Sequence, residues 1–203
     1  MQYRAVGNRC ALDLSSLPLT EEISLQLLYL LGFKILQVSV SKLASSCVGH
    51  SRYCRGVSIK EAPAILDCSG LVKWSYAQQG IWIPRLSIQQ FAYGEEVTGS
   101  KLEEGDVLFT SGFANFYDAD PQIRIGHVGM VTENGSVIHA AGSRAGVQEV
   151  SVESFIGTRT LQGVRRFSTK ETRTFLVPDI YPIEWSDDIK WLLLQNLNKL
   201  DHP

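Results

Sequence analysis

Residue 105 divides the chain into two textures. Downstream, short runs rich in β-branched and apolar residues follow one another: Val107-Leu108-Phe109, His127 to Val131, Val137 to Ala140, Val147 to Val150 and Val164 to Phe167. Gly, Asn and Asp separate them. Upstream, the apolar residues recur at helical spacing. Thr20 reads as an N-cap, Glu21 and Glu22 occupy the first turn, and Ile23, Leu27, Leu30 and Leu31 share one face up to Gly32. Cys68 to Gln79, closed by Gly80, reads as a second helix, and Ser87 with Gln90 as the capping pair of a third. Leu36, Val38 and Val40 alternate as a strand does, while Lys42 to Cys47 also fits a helix ending at Gly49. Helices followed by a meander of strands predict an α+β domain, its N-terminal helices packed on an antiparallel sheet. A terminal helix is expected over Asp187 to Leu200.

The bulk properties exclude several classes of protein. With 203 residues, 44% of them hydrophobic, the chain buries roughly 70% of its unfolded surface and needs no staple. Its net charge of -2 leaves no basic footprint for nucleic acid, and its apolar content excludes disorder. The apolar stretch after Glu21 and Glu22 is broken by Gln26, Gly32, Lys34 and Gln37, so neither an export signal nor a membrane span is expected, and a cytoplasmic location follows as an expectation, with release to the cell wall as the alternative. Cys10, Cys47, Cys54 and Cys68 are too irregularly spaced for a disulfide framework. Cys47, His50 and Cys54 lie close together but lack the paired spacing of a zinc module, so no metal or other cofactor is expected.

Asp67-Cys68-Ser69-Gly70 places a cysteine at the entrance of a helix, where the dipole favours a thiolate and free backbone N–H groups can receive an oxyanion. Its candidate partners are His127 in Gly126-His127-Val128-Gly129 and His139 in Ile138-His139-Ala140. The turn between them decides whether the two imidazoles can meet. A two-residue Asn134-Gly135 loop gives paired residue numbers an odd sum and sends the histidines to opposite faces. A three-residue Glu133-Asn134-Gly135 loop with a left-handed Gly135 makes the sum even and sets them diagonally on one face.

Asp67-Cys68-Ser69-Gly70-Leu71, Ile83-Pro84-Arg85-Leu86-Ser87, Glu104-Gly105-Asp106-Val107-Leu108-Phe109, Gly126-His127-Val128-Gly129 and His139-Ala140 resemble, in order and spacing, the NlpC family of bacterial cell-wall cysteine peptidases. The resemblance covers about residues 39–167, leaving 1–38 as an N-terminal helical extension and 168–203 as a C-terminal one. It implies a papain-like fold with Cys68 as nucleophile, His127 as base and His139 as the residue that orients it. Family members carry Tyr-x-x-Gly-Gly upstream of the cysteine; here Tyr53 and Gly56 match and Val57 replaces the second glycine. By resemblance Tyr53 serves the oxyanion, and its alternative role is packing under the helix.

The resemblance further implies hydrolysis of peptidoglycan stem peptides, commonly at the γ-D-glutamyl–diamino acid bond. Asp67, Ser69, Arg85 and Ser87 are the implied substrate-binding residues. Asp67 suits a free substrate amine and equally a helix cap, and Arg85 suits a substrate carboxylate or a surface acid. The connection 111–125 is long enough to line a binding site. The same thioester chemistry would serve an acyltransferase, an amidase or a deamidase toxin, and a non-catalytic wall-binding protein is the further alternative.

Overall fold

The computed structural model describes residues 1–99, 101–112 and 124–200. In chain order these form β1 (Arg9–Asp13), α1 (Glu21–Leu30), β2 (Lys34–Leu36), α2 (Val40–Ser45), β3 (Arg52–Tyr53), β4 (Ile65–Leu66), α3 (Cys68–Gln78), α4 (Ser87–Tyr93), β5 (Glu95–Glu96), β6 (Val107–Ser111), β7 (Ile125–Val131), β8 (Val137–Gly142), β9 (Gly146–Val150), α5 (Val152–Ile156), β10 (Leu161–Arg166), β11 (Thr172–Leu176) and α6 (Ser186–Gln195). Residues 113–123, which fill most of the connection expected to line a binding site, lie outside the described residues.

The chain divides into two units. One gathers 1–38, 76–82 and 168–203, so the two flanking segments fold together. Its antiparallel sheet has the order β1-β11-β2, and Cys10, Leu12, Leu27, Leu28, Phe175, Ile189 and Leu193 form its core. Thr20 caps α1 by accepting the Ile23 N–H, and Glu21 and Glu22 sit in its first turn. Gly80 adopts φ +76°, and a Cβ there would lie 2.8 Å from the Arg9 carbonyl carbon and from the Cys10 nitrogen. A side chain at residue 80 has no room beside β1.

The other unit comprises 39–75 and 83–167. Six strands in the order β5-β10-β6-β7-β8-β9 pair antiparallel throughout. Helix α2 packs against β8 and α4 against β7, so the fold is α+β with helices laid on an antiparallel sheet. Alternation along β6 sends Leu108 to one face, where it joins Val131, Val137 and Phe155. Phe109 goes to the other face and meets Phe91 of α4 edge-on.

Two local expectations need revision. The strand signal at Leu36 to Val40 ends at Leu36, because the Ser39 hydroxyl accepts the Lys42 N–H and opens α2. The cap of α4 falls at Leu86 rather than Ser87: the Gln89 side chain accepts the Leu86 N–H. Gln90 turns inward and donates to the Ser69 and Pro84 carbonyls instead.

Candidate active site

Cys68 begins α3 directly after β4, and Asp67 caps the helix by accepting the Gly70 N–H at 2.7 Å. The thiol is half-buried, and the backbone N–H groups of Ser69, Val128 and Cys68 favour its ionised form. Burial and the Asp67 charge work more strongly the other way and push the thiol up to about 11.

The hairpin between β7 and β8 has the even register. Met130 pairs with Ile138 and Val131 with Val137, the Thr132 N–H donates to the Ser136 carbonyl, and Gly135 takes φ +79°. Glu133, Asn134 and Gly135 are therefore the loop, and His127 and His139 share one face. The His127 Nε2 lies 2.7 Å from the His139 Nδ1, and both side chains are buried. The contact engages Nε2 of His127 and leaves its Nδ1 outside this hydrogen bond. In the tautomer that puts the lone pair of His127 on Nδ1, its Nε2 carries the proton and donates it to Nδ1 of His139, whose own proton then rests on Nε2.

Burial, then His139, then the Arg159 cation lower His127 to about 3, and burial and Arg159 lower His139 to about 4. The resting site is thus a neutral thiol beside two neutral imidazoles. Phe155 holds both rings: its centroid is 5.5 Å from that of His127 and 5.1 Å from that of His139. Gly129 exists for this packing, since a Cβ there would lie 2.7 Å from Phe155 and 2.5 Å from Val137. Neither Phe155 nor Arg159 belongs to a motif quoted above. The only sequence signal for Phe155 is that Ser151 reads as an N-cap ahead of an apolar pair, and the structure shows Ser151 capping α5.

Tyr53 lies on β3, paired in parallel with Leu66 of β4, the strand that leads into Cys68. Burial, then the charges of Cys68 and Asp67, raise its phenol pKa. Arg85 reaches Asp67 as a fork, with contacts of 2.8 Å to Oδ1 and 2.7 Å to Oδ2, and also donates to the Ser69 hydroxyl and the Val57 carbonyl. The Gly56 N–H supplies a further donor to Asp67. Gly70 makes room for this cluster, because a Cβ there would lie 2.8 Å from the Asp67 carboxylate. Ser87 is buried at the start of α4. The four cysteines are free thiols, and no group of three metal-ligating side chains occurs among the described residues. No helix among them is long and apolar enough to cross a membrane.

An α+β unit that sets a half-buried cysteine at a helix entrance, and two hydrogen-bonded histidines on adjacent strands, has the architecture of a papain-like domain. The sequence matches the NlpC/P60 family over residues 51–166, more than half of the chain, and the protein belongs to that family. Among its relatives is a probable endopeptidase of Corynebacterium glutamicum, 39% identical over 92 residues. That match covers 45% of this chain and 38% of the relative. The gamma-DL-glutamyl hydrolase of Bacillus subtilis is 34% identical over 102 residues, 50% of this chain and 23% of that protein. The chain thus spans well under half the length of these curated relatives. Of solved structures, NlpC1 from Trichomonas vaginalis superposes with a TM-score of 0.53 at 26% identity. It covers 64% of this chain and 44% of its own.

Proposed function

We propose that the protein is a cysteine endopeptidase that hydrolyses peptidoglycan stem peptides at the γ-D-glutamyl–diamino acid bond. The observation that carries the reading is the 2.7 Å contact between His127 and His139, in a unit whose cysteine stands at a helix entrance. Similarity to a gamma-DL-glutamyl hydrolase supports the choice of bond.

In this reading His127 Nδ1 takes the Cys68 proton as the sulfur attacks the amide carbonyl carbon. Because the resting pair is neutral, proton transfer accompanies attack, when the new charge moves on to the carbonyl oxygen. The backbone N–H of Cys68 and the Tyr53 hydroxyl receive that oxyanion. The carbon–nitrogen bond then breaks, and the amine leaves with the proton held by His127. Water, deprotonated by the same nitrogen, attacks the thioester and returns the proton to sulfur. His139 accepts the Nε2 proton of His127 throughout and keeps its lone pair on Nδ1; a neutral imidazole orients its neighbour more than it stabilises the imidazolium.

The acyl side holds the cluster of Asp67, Ser69 and Arg85, and the α-carboxylate of the glutamyl residue reaches the Arg85 fork only in competition with Asp67. Asp67 already receives the Gly70, Gly56 and Arg85 donors, so a substrate amine reaches its carboxylate only in competition with Arg85. Ser87 follows two residues beyond Arg85, buried at the start of α4. Incubation with purified muropeptides and with free stem tripeptides and tetrapeptides, followed by mass spectrometry, tests the assignment. The expected product pair is an acyl fragment ending in γ-D-glutamate and a fragment beginning with the diamino acid. Transfer of the acyl group to an added amine in preference to water would replace hydrolysis by acyl transfer.

A further inference from the structure

Beside Tyr53 lies a groove of about 500 Å³, walled by strand β3 and the turn joining β8 to β9. Arg52 and Arg144 both line it and both are exposed. The turn approaches the backbone of residue 51 closely: Gly146 adopts φ +63°, and a Cβ there would lie 3.1 Å from the Ser51 carbonyl. No acidic residue lines the groove. Among the described residues neither guanidinium has a hydrogen-bond or ion-pair partner, in contrast to Arg85 and Arg166, whose carboxylates are in place. Two unpaired planar cations at the wall of one concavity are built for an oxyanion of matching geometry, and a carboxylate is the commonest such group on a peptide.

The chain path says which part of a substrate would bring it. Gly56 and Val57, after Tyr53, close on the Asp67–Arg85 cluster, the acyl side of the reading above. Gly49 and residues 51–54, up to and just past Tyr53, wall the groove instead. Tyr53 itself pairs with Leu66, two residues before Cys68. A peptide lying across Cys68 with its glutamyl part at Arg85 therefore runs past Tyr53 into the groove with its leaving-group part.

We infer that Arg52 and Arg144 recognise a free carboxylate on the leaving-group side of the scissile bond, so that the enzyme selects stem peptides whose diamino acid ends the chain. The inference rests on the endopeptidase reading and adds to it a specificity determinant that the motifs around Cys68, His127 and His139 do not contain.

The test is the ratio of kcat/KM for L-alanyl-γ-D-glutamyl-L-lysine to that for its C-terminal amide. A charge-assisted pair in an open groove gives the wild-type protein a preference for the free acid of about tenfold. Arg52→Gln/Arg144→Gln should bring the ratio close to one, and Arg52→Lys/Arg144→Lys should leave part of it. Because the ratio is internal to each protein, a general loss of activity or folding does not imitate the effect. A wild-type ratio near one, or a ratio that survives in the glutamine variant, overturns the inference. If the wild-type protein cleaves neither peptide, the endopeptidase reading has failed, and binding decides the groove separately. Cys68→Ala protein titrated with L-lysine and with L-lysinamide should show amide NMR shifts at Arg52, Arg144 and Gly146 for the acid alone. Shifts for both ligands, or for neither, overturn the inference.

Discussion

Acidification to pH 5 should cost the unit that holds the active site about 4 kcal/mol, and the histidine pair should account for the loss. His127 is 8% exposed and His139 6%, and burial is the main cause that lowers them to about 3 and about 4 from an ordinary value of 6.5. The folded pKa values lie below the unfolded ones, so the unfolded chain takes up protons first. The stability associated with the neutral pair is complete above pH 6.5 and is lost as the pH falls toward the folded values. At pH 5 the unfolded chain holds close to two protons that the folded pair refuses. One pKa unit is 1.36 kcal/mol, so a drop of one and a half units below 6.5 costs about 2 kcal/mol for each ring. Against a total stability of roughly 5–15 kcal/mol the sum is a large fraction. Urea unfolding at pH 7 and pH 5, followed through the amide NMR peaks of β7 and β8, measures the loss. His127→Gln/His139→Gln, which cannot titrate, should be nearly insensitive over the same interval. Equal losses in both proteins would refute the argument, as would ring resonances of the native protein that titrate near 6.5.

Three further outcomes are expected. Cys68→Ala and His127→Ala should each abolish turnover of stem peptides, while His139→Gln, which can still accept the Nε2 proton, should retain a measurable fraction; wild-type turnover by Cys68→Ala would remove the nucleophile assignment. Alkylation of Cys68 by iodoacetamide should be slow at neutral pH and rise steadily toward alkaline pH, because the thiol is raised to about 11; a rate already at its plateau between pH 5 and pH 8 would mean a resting ion pair. Asp67→Ala removes both the cap of α3 and the anion beside Arg85, whose side chain is 25% exposed, and should lower stability by about 2–4 kcal/mol in thermal unfolding; a loss of only about 1 kcal/mol, that of the cap alone, would show that solvent compensates the guanidinium.

What the sequence determined by itself is whatever near neighbours along the chain decide. Thr20 and the acidic first turn of α1 are local chemistry, as is the cysteine at the entrance of α3 behind a capping Asp67. The three-residue turn is local too: only a glycine at residue 135 takes φ +79° at low cost, and one residue more or less in that loop would move His139 to the opposite face. The motif order then made the α+β fold legible. The cap at Leu86 was not, because the choice between Gln89 and Gln90 is made by the Ser69 carbonyl, 21 residues away. The same holds for Arg85, which sequence leaves between a substrate carboxylate and a surface acid, and which the structure forks on to Asp67 across 18 residues. Residues 1–38 and 168–203 read as separate extensions, yet β1 and β2 find β11 between them and close one sheet. Phe155 and Arg159, which set the packing and the charge around the imidazoles, arrive from a helix and a loop whose sequences carry no sign of either task. Caps and turns depend on a few adjacent torsions, whereas burial and Coulomb terms depend on which distant segments the fold brings within a few ångströms, and those terms set the protonation of His127, His139 and Cys68.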